Sequence, residues 1–219
     1  MIVEMFLSGF LFLLILVLNL VMASFGYKME KEDYDPDADL NKINDDPKKF
    51  KTGIALSLIE HGSVIALTVL LFIIFSSYNL TLGILLLIFR TAEGLIQFIN
   101  EPNYWKLLNI AKQYTSSSNK KESLSNKAKN IFKTKDQRFK AAMICWSIGT
   151  LAFSIIIVVS EVIPAIIGYL GIIASILVGL TTAIKLAKPN FKDLTAIGGL
   201  TAILFEIIIG IALVYYSII

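Results

Sequence analysis

Six runs of about 20 apolar residues divide this chain of 219 residues, at 5–25, 53–75, 80–99, 141–159, 163–184 and 194–216. A helix needs roughly 20 apolar residues to cross the hydrocarbon core of a bilayer. The pattern therefore predicts an all-α, polytopic integral membrane protein, with residues 1–219 forming a single six-helix transmembrane domain. Composition agrees: 56% of residues are hydrophobic and 17% charged, outside the ordinary soluble range. The first run has Glu4 and no Lys or Arg before it, and it is too long for a signal-peptide core. It reads as a retained helix.

Charge supplies the expected orientation. Of 20 Lys and Arg residues, 19 fall in alternate connections. Residues 26–52 carry Lys28, Lys31, Lys42, Lys48, Lys49 and Lys51. Residues 100–140 carry nine lysines and Arg138, and the connection around Pro189 carries Lys185, Lys188 and Lys192. The other side, with residues 76–79, 160–162 and both termini, has none. Basic residues stay on the cytoplasmic side of a membrane. The expectation is a plasma-membrane protein with cytoplasmic long loops (26–52 and 100–140) and both termini outside. Four prolines lie in connections, and Pro164 falls in the first turn of the fifth helix, where its missing N–H costs little.

The long connections hold two patterns. Asp33, Asp35, Asp37 and Asp39 alternate like the opening of a calcium loop. Ala38 stands where that loop needs glycine, and Asn44 where it needs a bidentate Glu. A solvated acidic segment lying against the basic second loop accounts for them. In that second loop Tyr104, Trp105, Leu107, Leu108, Ala111 and Tyr114 suggest an interfacial helix, followed by a Ser-rich break. Trp105, Lys127, Lys129, Lys133, Lys135, Arg138 and Lys140 are the expected contacts to anionic lipid headgroups, at about 1 kcal/mol per basic residue near the surface. A protein partner or a second copy of the chain fits the same surface. Nucleic acid is not needed to explain the basic charge. The sequon Asn79-Leu80-Thr81 lies in a tight turn at the membrane surface, with little room for a glycosylating enzyme.

Ionisable groups inside the apolar runs are costly and usually face the bundle interior. They are Glu60 and His61 in the second run, Arg90 and Glu93 in the third, and Glu206 in the sixth. Arg90, Glu93 and Gln97 share a helix face by steps of three and four. Gly198, Ala202, Glu206 and Gly210 recur every four residues, a small-residue ridge that turns Glu206 inward. Glu60, His61, Arg90, Glu93, Gln97 and Glu206 therefore form the candidate intramembrane polar cluster. One arginine faces three carboxylates, and its planar fork can hold two of them. The third is relieved by a proton or by a cation. Two readings follow: a network that fixes helix order, or a site for an ion or ligand.

Catalytic signatures are missing. There is one histidine and one cysteine, Cys145, so no zinc spacing and no internal disulfide can form. No nucleophile triad, phosphate-cradling glycine loop or internal repeat is visible. No catalytic residue, metal or cofactor is expected. The leading expectation is a non-enzymatic accessory or structural subunit of a membrane complex, or a small membrane sensor. The alternative is a small proton- or cation-linked transporter using the Arg/Glu cluster.

The stretch Arg90-Thr91-Ala92-Glu93, with Ile163-Pro164 followed by Gly168 and Gly171, resembles the small six-helix prokaryotic membrane proteins catalogued as domain of unknown function 4386. The resemblance covers most of helices two to six. That family's usual basic residue after the proline is Ala165 here. The resemblance implies six helices and a shared Arg/Glu pair, and implies no activity.

Overall fold

A computed structural model describes residues 2–25, 27, 35–188 and 195–219. The expected features at Lys28, Lys31, Asp33, Pro189 and Lys192 lie outside the described residues. Among the described residues eight α-helices follow one another: α1 (Ile2–Ser24), α2 (Pro36–Asp45), α3 (Pro47–Phe75), α4 (Leu80–Phe98), α5 (Glu101–Ser116), α6 (Lys121–Ser160), α7 (Ala165–Ala187) and α8 (Thr195–Tyr216). Six of them, α1, α3, α4, α6, α7 and α8, are long and apolar enough to cross a membrane. Their outward faces carry Ile59, Ile73, Ile88, Ile173, Leu180 and Ile211, all exposed. Such a surface suits a bilayer and not water.

The spanning helices pack in chain order, each on its neighbours, and α1 packs on α8. The result is a closed ring of six. At the end nearer the termini its centre is filled by Phe12, Phe75 and Phe153, whose rings stack or meet edge-on. The α1–α8 contact is backbone against backbone. A Cβ on Gly9 would lie 2.5 Å from the Gly210 carbonyl oxygen. Between α6 and α7 the Ser147 hydroxyl donates to the Ser175 carbonyl at 2.6 Å, the kind of interhelical hydrogen bond that hydrocarbon surroundings favour.

Two helices run well beyond their apolar segments. At 1.5 Å per residue, the 40 residues of α6 reach about 60 Å, twice the hydrocarbon thickness. Its first half, with the first turns of α3, α2 and α5, builds a collar at the end of the ring that carries the long connections. The collar has its own core of Leu40, Ile43, Phe50, Tyr104, Leu107, Ala111, Leu124, Ala128 and Phe132. This revises the interfacial helix expected around Tyr104. Tyr104, Leu107, Ala111 and Tyr114 turn inward onto α2 and α6, and Trp105 alone of the aromatic pair is exposed. The reason is the apolar face of α6 at Leu124, Ala128 and Phe132, which needs a partner.

The acidic run also has a local explanation. Asp35 caps α2 by accepting from the Ala38 N–H at 3.1 Å, and Asp37 and Asp39 sit in the first turn, where the helix dipole favours negative charge. Pro164 precedes α7 as its N-cap residue, just before the first turn in which the sequence placed it. The sequon residue Asn79 caps α4 through the Leu82 N–H at 3.1 Å. Asp46 does the same for α3, accepting from the Lys49 N–H at 2.9 Å. Asp46→Ala is expected to lower stability by about 1 kcal/mol in equilibrium unfolding in detergent.

Candidate functional site

On the collar side of the aromatic plug, the ring encloses a cavity of about 780 Å³. Its walls are apolar: Leu13, Leu16 and Val17 from α1, Val64 from α3, Val178 from α7, and Ile203 and Ile207 from α8. Into it project Glu60, Arg90, Glu93, Gln97 and Glu206, five of the six residues the sequence nominates. The lining residues that are also exposed on the outside lie on α1 and α8. Val17 is 54%, Leu20 73% and Ile203 47% exposed. The most exposed part of the cavity lining therefore runs along the α1–α8 seam, below the Gly9–Gly210 crossing.

The polar residues divide into two groups. In the deeper one, Arg90 Nη1 donates to Glu93 Oε2 at 2.5 Å. The guanidinium also sits 5.9 Å from the centroid of the Trp146 ring. The indole N–H of Trp146 donates to Glu206 Oε1 at 3.1 Å. Arg90 thus holds one carboxylate and not the two its fork could reach. Among the described residues no basic side chain forms an ion pair with Glu206. The ridge on α8 divides between two neighbours: Gly198 approaches α7 near Thr181, and Gly210 approaches α1. Glu206 lies between these contacts and so faces the cavity.

The second group sits where the ring meets the collar. His61 Nδ1 contacts Glu60 Oε2, and His61 Nε2 lies 3.3 Å from Glu101 Oε1. The Tyr27 hydroxyl donates to the same Glu101 oxygen at 2.5 Å. Burial and then the nearby Glu101 charge push the Tyr27 phenol well above its ordinary value, so it stays protonated and keeps its O–H to donate to Glu101. Tyr27 can pass over α3 because Gly53 lies beneath it; a Cβ there would come within 2.9 Å of Tyr27 Cβ. Lys135 completes the group. Its Nζ lies 3.8 Å from the Tyr27 ring centroid and 3.7 Å from that of Tyr104. Cations over aromatic faces are stabilised by the ring quadrupole.

Lys135 is the clear correction to the expected headgroup contacts. It is 3% exposed, because it continues the buried α6 face set by Leu124, Ala128 and Phe132. Arg138 is also engaged within the protein, donating to the Ile99 carbonyl and to Asn100 Oδ1, each at 3.2 Å. There it neutralises the C-terminal end of α4. Lys140 pairs with Asp136 at 2.7 Å and lines the cavity. Lys127, Lys129 and Lys133 point outward, with Trp105.

Sequence reasoning missed Tyr27, Glu101 and Trp146, and placed Lys135 at the headgroups. Lys135 had a signal, its place on the Leu124–Ala128–Phe132 repeat. Trp146 had only its apolar context, in which an indole N–H looks like any core ring.

The family model described as domain of unknown function (DUF4386) matches residues 7–215. No curated protein and no solved structure matches the chain.

Proposed function

The chain belongs to the family described as domain of unknown function (DUF4386), and from the geometry of its central cavity we propose a non-enzymatic, cation-linked carrier of small amphipathic molecules. The observation that carries this reading is the cavity itself. Protein interiors pack to crystal-like density, and an ion-pair network that only fixed helix order would be packed dry. A space of about 780 Å³ lies within the range of small-molecule sites, which are apolar with a few converging polar groups. The exposed lining along the α1–α8 seam suits entry of a ligand from the bilayer. Glu206, hydrogen-bonded to a neutral indole and near Arg90 without an ion pair to it among the described residues, is the carboxylate left for a positively charged head. On this reading the protein sits in the plasma membrane, with the collar cytoplasmic and both termini outside. The distribution of Lys and Arg supports that orientation.

The test uses the two tryptophans. Trp105→Phe leaves Trp146 as the only one, so its emission reports on the cavity. Titrating tetraphenylphosphonium into that protein in nanodiscs is expected to give saturable quenching. Adding Glu206→Gln is expected to weaken binding about tenfold, equal to about 1.4 kcal/mol. Unsaturable quenching, or equal affinity in both proteins, would reject the reading.

One observation favours a second reading, an accessory subunit or sensor. The collar has its own core and presents Lys127, Lys129 and Lys133 outward, a surface for anionic headgroups or an acidic partner. Native mass spectrometry after gentle extraction decides it: a partner in fixed ratio supports the subunit, and a lone chain or homo-oligomer supports the carrier.

A further inference from the structure

His61 lies between two carboxylates on two different helices. Glu60 faces the cavity and meets Nδ1. Glu101, the first residue of α5, meets Nε2 from the collar side at 3.3 Å. A histidine that only pinned α3 to α5 would need one acceptor; here both ring nitrogens are engaged, one toward each compartment of the fold. The edge of Phe98, 5.6 Å away between centroids, holds the ring in this orientation. Beyond it, Glu101 Oε2 and Lys135 Nζ are both buried with no hydrogen-bond partner among the described residues. Imidazole is the side chain best suited to accept a proton on one nitrogen and release one from the other.

We propose that Glu60, His61 and Glu101 form a proton relay between the central cavity and the collar, which makes the proton the coupling ion of the carrier. This rests on the cavity reading above. The transfer balances without any co-reactant. A proton leaves the Glu60 carboxyl for Nδ1, giving an imidazolium between two carboxylates. The Nε2 proton then passes to Glu101 Oε1, and the ring is neutral again as the other tautomer. Rotation of the ring past Phe98 restores the first tautomer for the next proton, whereas the reverse passage only returns the proton to Glu60. Tyr27 donates to the receiving oxygen and steadies it while it is charged. The charged and titratable groups around His61 are Glu60 on its own helix, Glu101 on α5, Tyr27 after α1, Lys135 on α6, and, across the cavity, Arg90 and Glu93 on α4. Lys135 balances Glu101 when the proton has left.

Two experiments test the relay. In the first, protein is reconstituted in liposomes with an entrapped pH-sensitive dye under an imposed potential. Proton entry is expected to exceed that of protein-free liposomes. His61→Gln is expected to reduce the excess at least about tenfold, while tetraphenylphosphonium binding stays within about twofold. The second needs no variant. His61 is the only histidine, so ¹⁵N-histidine labelling reports its two ring nitrogens without ambiguity. Both nitrogens are expected to exchange protons between about pH 5 and pH 8. Wild-type conduction by His61→Gln, or a ring locked in one tautomer across that range, would overturn the relay. Should His61→Gln fail to fold, the labelling result decides. An exchanging ring in a protein that does not bind tetraphenylphosphonium would count against the cavity reading alone.

Discussion

Arg90→Ala is expected to destabilise the protein by about 3–5 kcal/mol, the largest single effect within the ring. Arg90 and Glu93 lie one helical turn apart on α4, both buried, with 2.5 Å between Nη1 and Oε2. Removing the arginine leaves the buried Glu93 carboxylate without the ion-pair partner it has among the described residues. It also strips the cation from the face of Trp146, whose N–H orients Glu206. The cost therefore comes from the group left behind more than from the bond lost. Replacing both partners, as in Arg90→Met with Glu93→Met, is expected to recover most of the loss, because a buried ion pair contributes little beyond an apolar pair of similar volume. Thermal and denaturant unfolding in one detergent would check both. A double variant as unstable as the single one would show that Arg90 is held by more than Glu93.

Gly9→Leu is expected to cost about 1–3 kcal/mol and to loosen the ring where it closes. The obstacle is backbone. A Cβ at Gly9 would lie 2.5 Å from the Gly210 carbonyl oxygen and 2.8 Å from the Val214 nitrogen. Neither can move without displacing α8 as a whole, and four carbons in place of one make the displacement larger. The control is Gly199→Leu on α8, the other helix of the seam, where nothing lies within 4 Å. Its stability is expected to be unchanged or slightly raised, since leucine is the better helix former. Equal losses at the two positions would mean that the Gly9–Gly210 contact is not what closes the ring.

The six spans are legible because each is a sum over about 20 residues, and a sum tolerates local error. Glu60, Arg90, Glu93, Gln97 and Glu206 are legible for a related reason: a charged or amide group inside such a span has few places to point. The collar is not legible in the same way. The Lys-rich start of α6 has low average hydropathy, so it looks like a solvated loop, although Leu124, Ala128 and Phe132 recur at helical spacing. Lysine carries the same ambiguity. Lys135 counts as a surface residue until Tyr27, Tyr104 and Glu101 are seen around it, and those three come from two other parts of the chain. Glu101 escapes for the plainest reason. It stands just past the end of the third span, outside the window in which an acid looks costly. Its contact with His61 depends on how α5 folds back, which no local pattern encodes.

The contact between α1 and α8 also has a consequence for how the protein is made. The ribosome releases α1 before α8, so the seam that seals the ring joins the earliest of the six spans to the latest. Until α8 enters the bilayer, the Gly9 face of α1 has only lipid to lie against, and five helices form an open arc. Chains stalled or truncated before α8 would carry that open edge, which matches the edge left by a missing last helix in any other incomplete chain. Such an edge is a site for quality-control proteases, or for a last helix borrowed from a neighbouring nascent chain.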